Sequence, residues 1–290
     1  MEMATKPPVV TPLSVNASAE ARKIFEAYQQ NPTPDTFNLL LLGHSGCGKT
    51  SLLSTAKKPV LIDSFDPGGT KAEMLQPLIE KGDVLVRTFE DDDLLSSDPQ
   101  KGALVRWRDA YNASLNAKLF DQVGTYVIDS ASTFVDCLSS QILRKEGRMI
   151  PDMTAASSDK LHGLRRQDYD TFYRMFRNFL GKWLALPCDF ILTGHVSKDV
   201  NEVTGALVKR FLVIGQSAEK VPPLFDEVWF LDVVGEKQER KLITSFDSRK
   251  FEGKSRRAGT KFDPKGEPAD LKHMLKLMGL PTDDKPSLMV

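Results

Sequence analysis

Gly43-His44-Ser45-Gly46-Cys47-Gly48-Lys49-Thr50 is the stretch on which the reading of this chain turns. It fits G-x-x-x-x-G-K-[ST] at every fixed position. Its flanks fit as well. Phe37 to Leu42 is a continuous apolar run, as expected of a strand buried on both faces of a parallel sheet. A helix is expected after it, from about Lys49 to Ala56. In such a unit, successive backbone N–H groups from Ser45 to Thr50 converge on a phosphate, and the helix N-terminus adds its positive dipole end. The glycines permit close approach and positive φ. Lys49 is the group to reach the β- and γ-phosphates, from the solvent side of the loop until nucleotide arrives. The Thr50 hydroxyl is the group to sit on Mg²⁺, with Ser51 as the second candidate.

Phosphoryl chemistry also needs a carboxylate beside the metal. Thr125-Tyr126-Val127-Ile128-Asp129 supplies one, an acid at the carboxyl end of a buried strand. Ligands of open α/β sheets bind at that end. Loop and acid together point to a nucleoside triphosphate with Mg²⁺. The expected nucleotide is ATP.

Working outward, apolar strands alternate with amphipathic helices, which implies an α/β domain with a mostly parallel central sheet flanked by helices. The clearest helix carries Tyr169, Phe172, Tyr173, Phe176, Phe179, Leu180, Trp183 and Leu184 at i, i+3, i+4, i+7 spacing. That aromatic stripe is predicted to cover the sheet. Asp199 to Ile214, with its Thr204-Gly205 turn, reads as a hairpin or extended loop. Residues 1–35 read as an N-terminal arm and helix, 36–280 as one domain, and 281–290 as a flexible tail.

The composition, 41% apolar and 27% charged over 290 residues, is that of a soluble globular protein. No apolar run is long enough to span a bilayer. The N-terminus lacks a signal-peptide layout, so a cytoplasmic location is expected. Formal net charge is zero, so no global field draws the chain to nucleic acid. Cys47, Cys137 and Cys188 are far apart and without metal-ligand spacing, and they read as reduced thiols.

Asp129-Ser130 after its strand looks like the Walker B element of RecA-type ATPases. The order of elements is similar too. The chain resembles phage-encoded RecA-like P-loop ATPases, a group that includes single-strand annealing recombinases, from about Thr36 to Gly279. This resemblance implies a RecA-like P-loop NTPase core. RecA proteins carry a catalytic Glu at the end of the second strand. Here that site reads Ile62-Asp63-Ser64-Phe65-Asp66, and Phe65 falls where the Glu would be. Asp66 is then the first candidate to orient the attacking water and Asp63 the second. Asp66-Pro67-Gly68-Gly69 as a simple turn is the alternative.

The resemblance further implies that His195, after the Phe190–Thr193 strand, senses the γ-phosphate. It implies a homo-oligomer, ring or filament, in which a neighbouring subunit supplies Lys254 or Arg256. A solvated basic turn is the alternative for those two. Two loops fall where RecA proteins hold single-stranded DNA. One, with its flanks, carries Arg144, Lys145, Arg148, Lys160, Arg165 and Arg166, together with Met149, Ile150 and Met153 to wedge between bases. The other carries Lys198, Lys209 and Arg210. Such loops suit phosphate contacts that read no sequence. The competing expectations are an ATPase that acts on protein partners without DNA, a small-molecule kinase, and a nucleotide-gated assembly module without turnover, which the missing Glu favours.

Overall fold

Leucines on the strand before the phosphate loop divide between two apolar layers. Leu40 and Leu42 enter one, and Leu39 and Leu41 the other. Strand side chains alternate between faces, so both faces of this sheet must be covered by other elements. The computed structural model describes residues 15–30, 36–67, 71–91, 98–148, 164–200, 207–244, 246–247, 251–257 and 259–289. The chain forms two units, Met1–Asp35 and Thr36–Val290. The first contains helix α1, Val15–Gln30, on which Ile24 and Phe25 are exposed.

In the second unit the elements follow in the order β1 Asn38–Gly43, α2 Lys49–Leu52, β2 Val60–Ser64, α3 Gln76–Glu80, β3 Val84–Thr88, α4 Ala103–Asn116, α5 Leu119–Gln122, β4 Thr125–Asp129, α6 Ala131–Lys145, α7 Arg166–Trp183 and β5 Asp189–Gly194. Then come β6 Val196–Val200, β7 Leu207–Phe211, α8 Ser217–Lys220, β8 Glu227–Val234, β9 Glu239–Ile243, the short strands β10 Phe246–Asp247, β11 Phe251–Glu252, β12 Lys254–Ser255 and β13 Glu267–Pro268, and α9 Leu271–Leu277.

Among the described residues the main sheet runs β13-β9-β8-β1-β5-β4-β2-β3, with β12 also on β8. From β8 to β3 all pairings along this order are parallel, and β9, β12 and β13 join antiparallel. This is the expected α/β core with a mostly parallel central sheet. β5 lies between β1 and β4, so the residues just past β5 stand between the phosphate loop and Asp129. A second sheet, β10-β11-β7-β6, is built on the β6–β7 hairpin.

One face of the main sheet packs against α4, α6 and α7 through an aromatic cluster. Phe134 touches Phe65, Trp107, Phe176, Phe179 and Trp183. Full burial of each such ring contributes about 1.5–3 kcal/mol. The other face carries Leu52, Leu53, Leu271, Met274 and Leu275.

Two expectations change here. Phe172, Phe176, Leu180 and Trp183 are buried as the periodicity requires, but Tyr169 is 44% exposed. Tyr169 sits in the first turn of α7, where its ring faces Gly215 and not the sheet core. The segment from Pro281 is not a free tail either. Lys58 N–H donates to Asp284 Oδ1 at 2.7 Å, Lys285 N–H to the Lys58 carbonyl at 2.8 Å, and Lys285 Nζ to the Asp121 carbonyl at 2.9 Å. Leu288 packs on the main core. No helix among the described residues is long and apolar enough to cross a membrane.

Candidate nucleotide-binding and active site

The loop between β1 and α2 takes its shape from its glycines. Gly46 has φ +77° and Gly48 φ +98°, left-handed values that a side chain strains. A Cβ on Gly43 would stand 2.6 Å from Cys47 Sγ and 2.8 Å from the Leu231 carbonyl, so only glycine fits where β1 turns into the loop. α2 is shorter than expected. After Leu52 it tightens into a 3₁₀ turn, Leu53–Thr55, which leaves the loop amides as the main anion donors.

Lys49 is not on the solvent side. It is 6% exposed, and its Nζ donates to the carbonyls of Gly43 and His44, each at 3.0 Å. Burial lowers its pKa, against the nearby Cys47, Asp129 and Asp66. Thr50 Oγ1 donates to Asp129 Oδ2 at 2.8 Å, and Thr193 Oγ1 donates to Asp129 Oδ1. Burial raises the Asp129 carboxyl against those two hydrogen bonds. A hydroxyl beside a carboxylate is a set of hard oxygen donors, the chemistry that suits Mg²⁺. The residues present therefore fit the metal. Ser51 lies one position further along α2, and the bond to Asp129 belongs to Thr50.

The two candidate bases separate completely. Asp63 lies within β2 and points to the face covered by α4. Arg87 Nε and Nη2 donate to its two oxygens at 2.6 and 2.8 Å, Tyr126 Oη donates at 2.7 Å, and Trp107 Nε1 at 3.0 Å. It is fully buried and has no path to the loop. The expectation for Asp63 as a base is therefore corrected: it ties Trp107 of α4 and Arg87 of β3 to β2. Phe65, in the place of the RecA Glu, packs against Phe89, Trp107 and Phe134.

Asp66 lies just past the strand end and faces the loop. Its Oδ1 accepts from Ser130 Oγ at 2.8 Å and from Thr133 Oγ1, and its Oδ2 stands 3.5 Å from His195 Nε2. Burial works to raise its pKa, but the hydrogen bonds from His195, Thr133 and Ser130 outweigh it, so the carboxyl titrates below its ordinary range. His195 Nδ1 is 3.4 Å from Lys49 Nζ. An ammonium has only donors, so Nδ1 accepts, and Nε2 carries the proton toward Asp66. Lys49, His195 and Asp66 thus form one chain of donors ending on a carboxylate.

The remaining expectations fare differently. Lys254 Nζ donates to the carbonyls of Pro223 and Phe225 at 2.9 and 2.6 Å, and Arg256 pairs with Asp226 at 2.6 Å. β12 joins β8 at Glu227, which is level with Leu39 of β1, whereas Gly43 is level with Leu231. Both cations therefore lie toward the sheet end opposite the loop of their own chain, and action on a neighbour's site requires breaking these bonds. Arg144 is buried against Asp91 at 3.1 Å, and Arg148 pairs with Asp168 at 2.7 Å and Glu146 at 3.1 Å. These two serve the fold, so among the described residues the expected basic surface of the first loop is Lys145, Arg165 and Arg166. Met149, Ile150, Met153 and Lys160 lie outside the described residues.

Thr133 and Thr193 were not picked out from the sequence and Ser130 was named only alongside Asp129, although their closeness to Asp129 and His195 was a usable signal. Arg240 had no signal at all. From β9 its Nε donates to the Cys47 carbonyl at 3.1 Å, and a Cβ on Gly48 would meet that Nε at 2.7 Å. It braces the loop from outside by one of its carbonyls.

A glycine loop closed by Lys49, a Thr50–Asp129 pair and a parallel sheet with both at its carboxyl end define a P-loop NTPase. The sequence profile of a family described as an AAA domain matches residues 36–257, so the chain belongs to that family and is an ATPase. No curated protein matches. Among solved structures, the KaiC-like protein PH0186 from Pyrococcus horikoshii OT3 is similar at 15% identity, over 72% of this chain and 78% of that one, with a TM-score of 0.37. The ATPase EscN of the enteropathogenic E. coli type III secretion system is similar at 14% identity, over 68% of this chain and 42% of that one, with a TM-score of 0.38. A further solved ATPase domain is similar at 10% identity, over 78% of this chain and 89% of that one, with a TM-score of 0.37.

Proposed function

We propose that this ATPase acts on single-stranded DNA, in phage recombination, annealing or replication, as a homo-oligomer, and that Asp66 orients the water that attacks the γ-phosphate of ATP. The loop amides and Lys49 hold the phosphates. Thr50 and Asp129 would hold Mg²⁺, which would supply positive charge to the phosphates. Asp66 accepts a proton from the attacking water, directly or through a second water, because its side chain is shorter than a Glu. His195 donates to Asp66 and keeps its carboxylate aimed. When Lys49 turns to the phosphates, it releases the Gly43 and His44 carbonyls and His195 Nδ1 together. His195 is then the residue that registers the γ-phosphate.

What supports the DNA reading is the join between β5 and the hairpin. His195 is the single residue between β5 and β6. Ser197 pairs with Arg210 and Lys198 with Lys209, so the basic positions lie side by side on the hairpin that His195 leads into. A γ-phosphate-dependent shift at His195 passes straight into them. The test is ATP turnover with and without single-stranded DNA, with Lys49→Ala as the control. Strong stimulation supports the reading. Turnover indifferent to DNA, with no DNA retained in ATP, replaces it with an ATPase directed at protein partners.

A further inference from the structure

We infer that the groove between the first turns of α7 and the segment Ile214–Lys220 binds a stretch of single-stranded nucleic acid, with Tyr169 as a stacking platform and Arg166 and Lys220 as phosphate contacts. This deepens the DNA reading above and rests on it. The groove has a volume of about 400 Å³. Tyr169 is 44% exposed, whereas Phe172 and Phe176 of the same helix are 1% and 0% exposed. An aromatic ring outside the core is held here by a particular backbone. Gly215 has φ +59°, and a Cβ on it would stand 3.3 Å from the Tyr169 ring. Tyr173 is half-buried beside it, with Lys220 Nζ 4.8 Å from its ring centroid.

The charges select a polyanion. The acids near the groove have other cations close by: Asp170 pairs with Arg174 at 2.8 Å, and Glu219 is 4.0 Å from Arg210. Arg166 and Lys220 share the lining with Asp170, which leaves one net positive charge there, and Lys220 Nζ donates to Gln216 Oε1. Rings flanked by cations match a strand of stacked bases on a phosphate backbone, and such recognition tolerates any sequence because every base has a π-face.

The groove is also wired to the ATP site. Leu212 N–H donates to the His195 carbonyl at 2.9 Å. Ser132 Oγ accepts from His195 N–H at 3.2 Å and donates to the Leu212 carbonyl at 2.9 Å. Leu212 leads directly into the groove wall. A strand in the groove and a γ-phosphate at His195 therefore act on one hydrogen-bonded unit, and each changes the affinity for the other.

The test is anisotropy of a labelled oligothymidylate with full-length protein and a non-hydrolysable ATP analogue, for wild type, Tyr169→Ala, Tyr169→Phe and Lys220→Ala. Tyr169→Ala should weaken binding roughly 5- to 150-fold, the loss of one stacked base. Tyr169→Phe should bind like wild type. Lys220→Ala should reduce the slope of log affinity against log salt by about 0.7. Turnover without DNA should be unchanged in all three. Wild-type affinity in Tyr169→Ala overturns the groove and leaves the DNA reading standing. No binding by wild type overturns the DNA reading and the groove with it.

Discussion

The carboxylate of Asp66 stands 3.5 Å from His195 Nε2, while the other nitrogen of the same ring stands 3.4 Å from Lys49 Nζ. Lys49 of the phosphate loop and the carboxylate proposed to orient the attacking water are therefore joined through one imidazole. Ser130 and Thr133 fix Asp66 from below.

Lys49→Ala should lower ATP turnover at least about a hundred-fold, the scale of losing one donor to the transition-state charge. Its Nζ also serves two loop carbonyls, so the variant should lose about 1–3 kcal/mol of stability as well. Hydrolysis assays and thermal melts measure the two separately. Full turnover would end the phosphate-loop assignment.

Asp63→Asn and Asp66→Asn should fail in opposite ways. The first breaks a buried pair with Arg87 and should cost about 3–5 kcal/mol of stability. Whatever folds should still hydrolyse ATP. The second should keep its melting temperature and lose about 10²- to 10⁴-fold in kcat. Comparing kcat with Tm for both variants decides, and a reversed pattern would move the base to Asp63.

Arg240→Ala should raise KM for ATP several-fold and leave kcat nearly unchanged, because it loosens a binding loop without touching the water side. Steady-state kinetics at saturating Mg²⁺ read this out. An unchanged KM would make Arg240 an ordinary surface residue.

Burial pushes the thiols of Cys137 and Cys188 from 9.0 up to about 12. A pKa raised on folding means that the folded state keeps the proton longer. Stability from these groups is thus fully present below pH 9 and is lost as pH rises from 9 towards about 12. Chemical denaturation across that window should show a shallower decline in Cys188→Ala than in wild type. Equal slopes would remove Cys188 from the alkaline transition. In native protein at about pH 8, both thiols should react slowly with a disulfide reagent and rapidly once unfolded.

Much of this was legible in the chain, for local reasons. The phosphate loop, the helix after it and Asp129 at a strand end depend on neighbours in sequence. The leucines of β1 required helices on both faces before any contact was known. The groove at Tyr169 was hidden by its own periodicity, because the i, i+3 rule marks the buried side of a helix but not which of its turns the core covers. Arg144 and Arg148 read as a basic surface because their partners Asp91 and Asp168 are remote in sequence.

The sequence by itself determined the nucleotide chemistry and the layered α/β core, since backbone dihedrals, glycine placement and side-chain alternation act within a few residues. Only the tertiary structure separated the two aspartates. Asp63 lies inside β2, and alternation turned it into the α4 layer, where Arg87, Trp107 and Tyr126 take up its charge. Asp66 lies past the strand end, where Ser130 just beyond β4, Thr133 in the first turn of α6 and His195 just beyond β5 converge on it. That convergence comes from the order β1-β5-β4-β2, and strand order is a long-range packing outcome that no short stretch of chain encodes.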